Sequence, residues 1–221
     1  GDDTLYGDDG HDALEGGAGA DILNGGGNYD FASYLHAATG VTVNLLNTAA
    51  STGDAAGDSF ISIEKFYLSE HDDTFIGSNL DDRVNGSAGN DVLIGNGGND
   101  ILEDTVGDDI LQGGAGDDDI FDSSGANYLY GEDGNDLIRG IGRLYGGAGN
   151  DTVRAYYYND DDLVAFLSGG TGDDQIFGGH NGDVLQGDEG SDRLEGSAGD
   201  DFLNGGIGGD FLFAGTGNDR L

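Results

Sequence analysis

Apolar residues recur every nine positions over much of this chain. Between Gly77 and Phe121 the sequence divides into five nonapeptides, GSNLDDRVN, GSAGNDVLI, GNGGNDILE, DTVGDDILQ and GGAGDDDIF. The eighth residue of each unit is apolar, the sixth is aspartate, and glycine is concentrated in the first four places. The last three residues predict a very short strand with one inward side chain, because neighbouring strand residues alternate faces. The six residues before them predict a turn, since Gly, Asn and Asp tolerate the positive φ angles that turns require.

This period predicts a stacked coil rather than an ordinary globule. A turn followed by a strand reverses the chain, so two nonapeptides make one full winding. Windings stacked about 4.8 Å apart would form two short parallel sheets with the eighth-position side chains between them. We therefore predict an all-β fold, a parallel β-roll (β-solenoid). The inward residues of the central block would be Val84, Leu93, Leu102, the Ile110–Leu111 pair and Ile120.

The same stacking places the sixth-position aspartates in columns along the two turn edges. Carboxylates at that spacing repel one another unless a cation lies between successive windings. Carboxylate and carbonyl oxygens, with no thiolate and only four histidines, form the hard ligand set that calcium prefers. The sequence therefore predicts calcium between the windings.

Units such as GGAGDDDIF and GGTGDDQIF resemble the hemolysin-type calcium-binding nonapeptide GGxGxDxUx of the repeats-in-toxin (RTX) family, which forms a parallel β-roll. The resemblance implies that backbone carbonyls of the glycine turns complete each calcium shell, for example at Gly86, Ala88, Gly113 and Ala115. It also implies a secreted, extracellular protein that is exported by type I secretion machinery.

An ion between windings needs two sixth-position aspartates that are two nonapeptides apart. Eleven such pairs occur, two in residues 1–33, five in 68–154 and four in 169–221, and we predict about 8 to 11 calcium ions. The predicted ligands are Asp3, Asp12, Asp21, Asp30, Asp73, Asp82, Asp91, Asp100, Asp109, Asp118, Asp136, Asp174, Asp183, Asp192, Asp201, Asp210 and Asp219.

Two sixth-position residues depart from the pattern. Asn127 replaces aspartate in DSSGANYLY, which predicts a weak or missing ion beside Asp109. Asp151 follows Asp136 at less than the length of two nonapeptides, and we do not assign it as a ligand. Fifth-position residues such as Asn90 and Asp117 are expected to face solvent or to cap the turn.

Breaks in the period divide the predicted solenoid. We expect a first roll block at 1–33, a strand-rich insertion at 34–67, a second block at 68–154, an irregular Tyr/Asp segment at 155–168 and a third block at 169–221. In the insertion, VTVNLL and FISIEKF alternate apolar and polar residues as half-buried strands do. Asp54 and Asp58, between them, are explained equally well as ion ligands or as loop acidity. The chain starts midway through a nonapeptide, so we expect it to be a fragment of a longer protein.

Composition narrows the partners. The formal charge is −37, from 44 acidic and 7 basic residues, so we predict no nucleic-acid partner, because phosphate binding requires Lys and Arg surfaces. Cysteine is absent, which excludes disulfides and thiolate metal sites. No apolar run approaches the ~18 residues of a transmembrane segment. With 46 glycines and such self-repulsion, the ion-free chain is expected to be disordered.

The function predicted from the sequence is a calcium-binding RTX module that folds on calcium binding outside the cell and supports the secretion and stability of a larger protein. The four histidines are scattered and match no catalytic motif, so we predict no catalysis within this chain. The alternative is a polysaccharide-binding or adhesin module, such as the repeat module of an alginate-epimerase-like enzyme. Tyr156, Tyr157 and Tyr158, as a sugar-stacking surface, and the insertion motivate this alternative.

Overall fold

The computed structural model describes residues 1–156 and 163–221. Within them the chain is an almost entirely parallel β-solenoid, as predicted, and its strands are only two to seven residues long. The described residues contain no α-helix and two 3₁₀ turns, at Thr48–Ala50 and Gly53–Ala55. One long sheet contributes a strand to each of eleven windings.

Residues 1–156 and 163–221 form four sheets. The eleven-stranded sheet contains Ala13–Leu14, Phe31–Ser33, Lys65–Tyr67, Arg83–Asn85, Ile101–Asp104, Asp119–Asp122, Leu137–Gly140, Thr152–Ala155, Gln175–Phe177, Arg193–Glu195 and Phe211–Phe213. The ten-stranded sheet contains Thr42–Asn44, Thr74–Ile76, Val92–Gly97, Ile110–Ala115, Asn127–Asp133, Gly142–Ala148, Phe166–Thr171, Val184–Gly190, Phe202–Asn204 and Ile207–Gly208. A three-stranded sheet contains Thr4–Tyr6, Ile22–Asn24 and Ser59–Ile61, and a two-stranded sheet contains Asp9–Gly10 and Gly27–Asn28.

The core is a double column of eighth-position side chains. Leu93, Leu111 and Leu129 are fully buried on one side, and Leu102 and Ile120 are fully buried on the other. Each apolar residue lies in register with the one a winding later, as Leu93 pairs with Leu111. Because the core is built mainly from one apolar side chain per strand, it is narrow, and the fold depends on stacking many windings.

Glycine is required where successive turns touch. Gly116 has φ of +134°, and a Cβ there would collide with the carbonyl oxygen of Gly98 in the winding below. Gly134 and Gly149 repeat this arrangement over Gly116 and Gly134. A fourth-position glycine is therefore a packing requirement of the stack as well as a turn signal.

The roll absorbs its irregular windings without breaking the long sheets. Leu129 pairs with Leu144 across a shortened winding, and Leu144 pairs with Leu167 across a lengthened one. The eleven-stranded sheet also passes through the insertion, because Phe31–Ser33 pairs directly with Lys65–Tyr67.

One strand prediction in the insertion is wrong in detail. FISIEKF was expected to form a single strand, but it contains the end of Ser59–Ile61, a turn, and the start of Lys65–Tyr67. Ser62 takes a φ of +51°, which reverses the chain so that the two strands enter different sheets. An alternating pattern cannot distinguish one strand from two that are separated by a short turn. VTVNLL forms the strand Thr42–Asn44 in the ten-stranded sheet.

Candidate metal centres

The sixth-position acids form two columns, one at each turn edge, held by a repeated hydrogen bond. The backbone N–H of Asp73 donates to Oδ1 of Asp91 at 2.8 Å, and that of Asp91 donates to Oδ1 of Asp109 at 2.8 Å. On the other edge, Asp82 donates to Asp100 and Asp100 donates to Asp118, both at 2.7 Å. Oδ1 of each of the four accepting carboxylates therefore holds the preceding winding in register.

The second oxygen, Oδ2, is buried and has no hydrogen-bond donor at most of these aspartates. The group contains Asp12, Asp21, Asp30, Asp91, Asp100, Asp109, Asp118, Asp136, Asp151, Asp174, Asp192 and Asp201. A buried anionic oxygen without a partner is costly in free energy. A column of such atoms therefore requires a positive charge, either protons or cations.

Carbonyl oxygens converge on the same spaces. At Gly95, the position that a Cβ would fill lies beside Oδ2 of Asp100 and 2.6 Å from the carbonyl oxygen of Gly113. Gly77 has the same arrangement, with Oδ2 of Asp82 at 2.8 Å and the carbonyl oxygen of Gly95 at 2.5 Å. First-position glycines therefore leave cradles lined by carboxylate and carbonyl oxygens, and this donor set fits calcium.

The four backbone positions proposed from the family resemblance have different surroundings. Gly113 contributes its carbonyl to the cradle at Gly95, and Gly86 is itself a buried first-position glycine. The carbonyl oxygen of Ala115 accepts a hydrogen bond from the N–H of Gly98 at 3.0 Å. Ala88 forms an isolated parallel bridge with Val106. All four remain predictions as calcium ligands.

Six predicted ligands differ from the group above: in three of them Oδ2 accepts a hydrogen bond, and the other three are more exposed to solvent. Oδ2 of Asp73 accepts the N–H of Ser69, Oδ2 of Asp82 accepts that of Ser78, and Oδ2 of Asp183 accepts that of Gly179. The other three are near the ends of the chain, where Asp3 is exposed and Asp210 and Asp219 are half-buried.

Burial shifts the acidity of the columns. It raises the pKa of Asp100, Asp136 and Asp174 from the ordinary 3.8 to about 7, against the opposing effect of their backbone hydrogen bonds. It raises the pKa of Asp118 and Asp151 to about 6. Burial therefore disfavours the ionised form of these carboxylates unless a nearby positive charge compensates it.

A second cluster of high pKa lies where the units are irregular. Burial raises the pKa of Asp91 to about 8, of Asp104 to about 7 and of Asp122 to about 9. Mutual repulsion among neighbouring aspartates adds to each shift. Asp104 and Asp122 were not predicted as ligands, because they occupy the first place of their units.

Three acids outside the predicted ligand set continue the columns through the irregular windings, and one of them, Asp58, is explained by the sequence equally well as an ion ligand or as loop acidity. Asp151 accepts the N–H of Asp136 at 2.8 Å, and its unit, GGAGNDTVR, matches the repeat although the spacing does not. Asp58 accepts the N–H of Asp21 and the hydroxyl of Tyr34, both at 2.8 Å. Glu64 accepts the N–H of Asp30 at 2.7 Å, and no repeat signal marked it.

Fifth-position side chains form a separate ladder on the exposed rim of the turns. It runs in the opposite sense, since the N–H of the later residue donates to the earlier side chain. Asn99 donates to Oδ1 of Asp81 at 2.8 Å, and Asp117 donates to Oδ1 of Asn99 at 3.0 Å. These residues cap the turns, which is one of the two roles expected for them.

A parallel roll whose turns carry stacked carboxylate and carbonyl cradles defines a class, the calcium-binding repeat solenoids. The family model for the RTX calcium-binding nonapeptide repeat (4 copies) matches residues 1–32, 76–103, 103–138, 139–157, 166–194 and 186–221. These ranges cover more than half of the chain, and the chain belongs to this family. A search of the curated proteins found no match. Across residues 1–156 and 163–221, no helix has the length and apolar character needed to cross a membrane.

Proposed function

We propose that this chain is a calcium-dependent folding module of a secreted protein, and that it binds about 8 to 11 calcium ions through its aspartate columns. The observation that carries the proposal is the row of buried Oδ2 atoms without donors on both turn edges. The ligands would be the seventeen sixth-position aspartates named above, with Asp151 added, together with carbonyl oxygens of the glycine turns. Calcium would supply positive charge that links the carboxylates of adjacent windings.

The chain's own residues make the folding equilibrium sensitive to that charge. Oδ1 of most column aspartates holds the register, while Oδ2 is desolvated only when the windings stack. The unfolded chain presents the same acids to water, separated and solvated, and it has no assembled site. An ion that binds only the folded stack shifts the equilibrium by mass action.

Extracellular calcium modules bind with dissociation constants of about 0.1 to 1 mM. At such affinities the chain would remain unfolded in a calcium-poor cytosol and fold after export. This behaviour suits passage through the type I secretion machinery expected from the family, and the stack would then stabilise the parent protein outside the cell. The module itself is proposed to be non-catalytic.

The test is circular dichroism of the metal-free chain during titration with calcium, with magnesium as the control. Strand signal should appear cooperatively near millimolar calcium and should not appear at equal magnesium, because magnesium demands near-ideal octahedral geometry and gives up its bound water reluctantly. Full strand signal in magnesium or in chelator alone would refute the proposal.

Glycan binding is a second candidate, favoured by a row of aromatic rings on the outer face of the ten-stranded sheet. The rings of Tyr130 and Tyr145 are parallel within 7° at 5.1 Å, and Phe166 follows Tyr145 at 5.6 Å. Tyr128 and Phe166 also line a groove of about 420 Å³. Tyr157 and Tyr158, which suggested glycan stacking in the sequence, lie outside the described residues.

Retention on an alginate column in calcium tests this second candidate. Replacing Tyr130 and Tyr145 together by alanine should abolish retention, because the stacked platform is lost. Tyr6→Ala, which removes an exposed ring on the three-stranded sheet, should leave retention unchanged. Equal retention of all three proteins would exclude the ring platform as the binding surface.

A further inference from the structure

Two successive units on one turn edge begin with aspartate where most units begin with glycine. Asp104 opens DTVGDDILQ, and Asp122 opens DSSGANYLY. The two residues are in register in neighbouring strands of the eleven-stranded sheet, and both are fully buried, with 0% exposure. First-position aspartates therefore stack beside the column that contains Asp91 and Asp109.

The carboxylates of these residues converge. Oxygen atoms of Asp91, Asp104 and Asp109 lie within 4.8 Å of one another. Gly86 provides the room, because a Cβ on it would collide with Oδ2 of both Asp91 and Asp104. The ordinary cradles at Gly77 and Gly95 pair one carboxylate oxygen with one carbonyl oxygen; here a second carboxylate enters the same space.

Asp122 is an independent indication of a ligand. Its Oδ2 has no donor although the residue is fully buried, and it is the register partner of Asp104, whose carboxylate belongs to the converging group. Its Oδ1 accepts only the backbone N–H of Ser124, at 3.2 Å. A buried carboxylate oxygen without a donor, beside other carboxylates, is costly unless a proton or a cation compensates the charge.

Asn127 explains why an extra acid is useful at this point. It keeps the hydrogen bond of a sixth-position residue, since its Oδ1 accepts the N–H of Asp109 at 2.9 Å. Its Nδ2 donates to the carbonyl oxygen of Ser124 at 2.9 Å. Its amide supplies no negative charge. Asp122, from the same nonapeptide, supplies the carboxylate that Asn127 lacks.

We propose that Asp91, Asp104, Asp109 and Asp122 form a distinct cation site of four carboxylates, which binds one hard cation more tightly than the two-carboxylate sites of the regular windings. The proposal rests on the proposed calcium function, and it gives the position between Asp91 and Asp109 two further carboxylates and a selectivity of its own. Two carboxylates are neutralised by one divalent ion, whereas four leave a net charge of −2 with a divalent ion and −1 with a trivalent ion. The site therefore favours a trivalent cation over calcium, because affinity for hard cations rises with ligand charge.

The experiment measures terbium retained by the full chain in saturating calcium. The protein is dialysed against calcium with a low terbium concentration, and bound terbium is counted by elemental mass spectrometry. We expect the unchanged protein to retain one terbium ion per chain. The Asp104→Asn and Asp122→Asn double variant should lose it, with an affinity at least about tenfold lower.

The matched control is Asp108→Asn with Asp117→Asn, which removes the same charge from exposed fifth-position residues of neighbouring units. It should retain terbium as the unchanged protein does. Equal retention by all three proteins, or none by the unchanged protein, would overturn the proposal. If the double variant fails to fold, crystals of the unchanged protein soaked in the same mixture decide, since the strongest terbium anomalous peak must lie among these four carboxylates.

The outcomes separate this site from the general function. A double variant that still gains strand signal in calcium but loses terbium supports the site within a working calcium module. An unchanged protein that folds without calcium refutes the proposed function, whatever terbium does.

Discussion

Two adjacent aspartates in one nonapeptide offer a matched test of the calcium columns. In GGAGDDDIF, Asp118 is sixth and Asp117 is fifth. Oδ1 of Asp118 accepts the N–H of Asp100 at 2.7 Å, and its Oδ2 is buried without a donor. Oδ1 of Asp117 accepts the N–H of Asn135 at 2.8 Å on the exposed rim, where that bond holds the pKa of Asp117 below its ordinary value.

Substitution by asparagine removes one charge at either position and preserves the side-chain Oδ1 that accepts the backbone N–H, as Asn127 does naturally in the sixth position. Asp118 belongs to two proposed ion pairs, with Asp100 below and Asp136 above. An ion at tenfold its dissociation constant stabilises the fold by about 1.4 kcal/mol, so Asp118→Asn should cost about 1.4 to 2.8 kcal/mol in calcium. Asp117→Asn should leave the free energy of unfolding nearly unchanged, as exposed substitutions usually do.

The assay is urea unfolding in 10 mM calcium, followed by circular dichroism, together with the calcium midpoint of folding for each variant. Asp118→Asn should lower the urea midpoint and raise the calcium midpoint, while Asp117→Asn should match the unchanged protein. Equal behaviour of the two variants would show that total charge, and not ligation at the sixth position, controls folding.

Three further predictions concern the core, the turns and pH. Leu102→Ala should destabilise the calcium-loaded roll by about 2 to 5 kcal/mol in urea unfolding, because it opens a cavity in a one-residue-wide core; a cost below about 1 kcal/mol would contradict that packing. Gly116→Ala should lower the thermal midpoint, since φ is +134° and its Cβ would meet the carbonyl of Gly98, whereas Gly97→Ala, whose nearest contact would be at 3.7 Å, should change it little. Without calcium, residual strand signal should be larger at pH 5 than at pH 8. Burial raises the pKa of Asp136 from 3.8 to about 7. The stability that its protonated form contributes is therefore present at low pH and is lost as the pH rises through about 7. A signal that grows with pH would reverse this sign.

The regular part of the fold was predictable because one nine-residue pattern sets turn, strand and inward side chain together. Leu93, Leu102 and Leu111 were expected in the core from their eighth positions, and each is fully buried. The parallel order of the strands followed from a winding of two nonapeptides, and Leu93 pairs with Leu111 accordingly.

The irregular parts escaped prediction for a physical reason. Register in a solenoid is set by the stacking of backbones, so the roll accepts shortened or lengthened windings when the hydrogen-bonded strands still align. Asp151 was therefore missed, because the prediction required a spacing of two full nonapeptides. Asp58 lies 37 residues after Asp21, whose N–H it accepts, and no local sequence pattern connects the two. Asp104 and Asp122 were missed because, in the sequence, an aspartate in the first position looks like a simple replacement of the usual glycine. Only the fold shows that these carboxylates are buried beside the column.

The fifth-position ladder was foreseen only as a capping tendency. Its pairing of Asn99 with Asp81 and of Asp117 with Asn99 depends on windings stacked one above the other. A single sequence therefore indicates that Asn and Asp favour turns, but not that their hydrogen bonds run from winding to winding.

In the proposed function, cations between the windings compensate the buried carboxylates. A crystal structure of this chain in excess calcium, with anomalous scattering measured to identify the ions, tests it most directly. Peaks should lie along both turn edges between sixth-position aspartates, including the regular series from Asp174 to Asp219. A correctly wound roll with no ion in either column would contradict the claim.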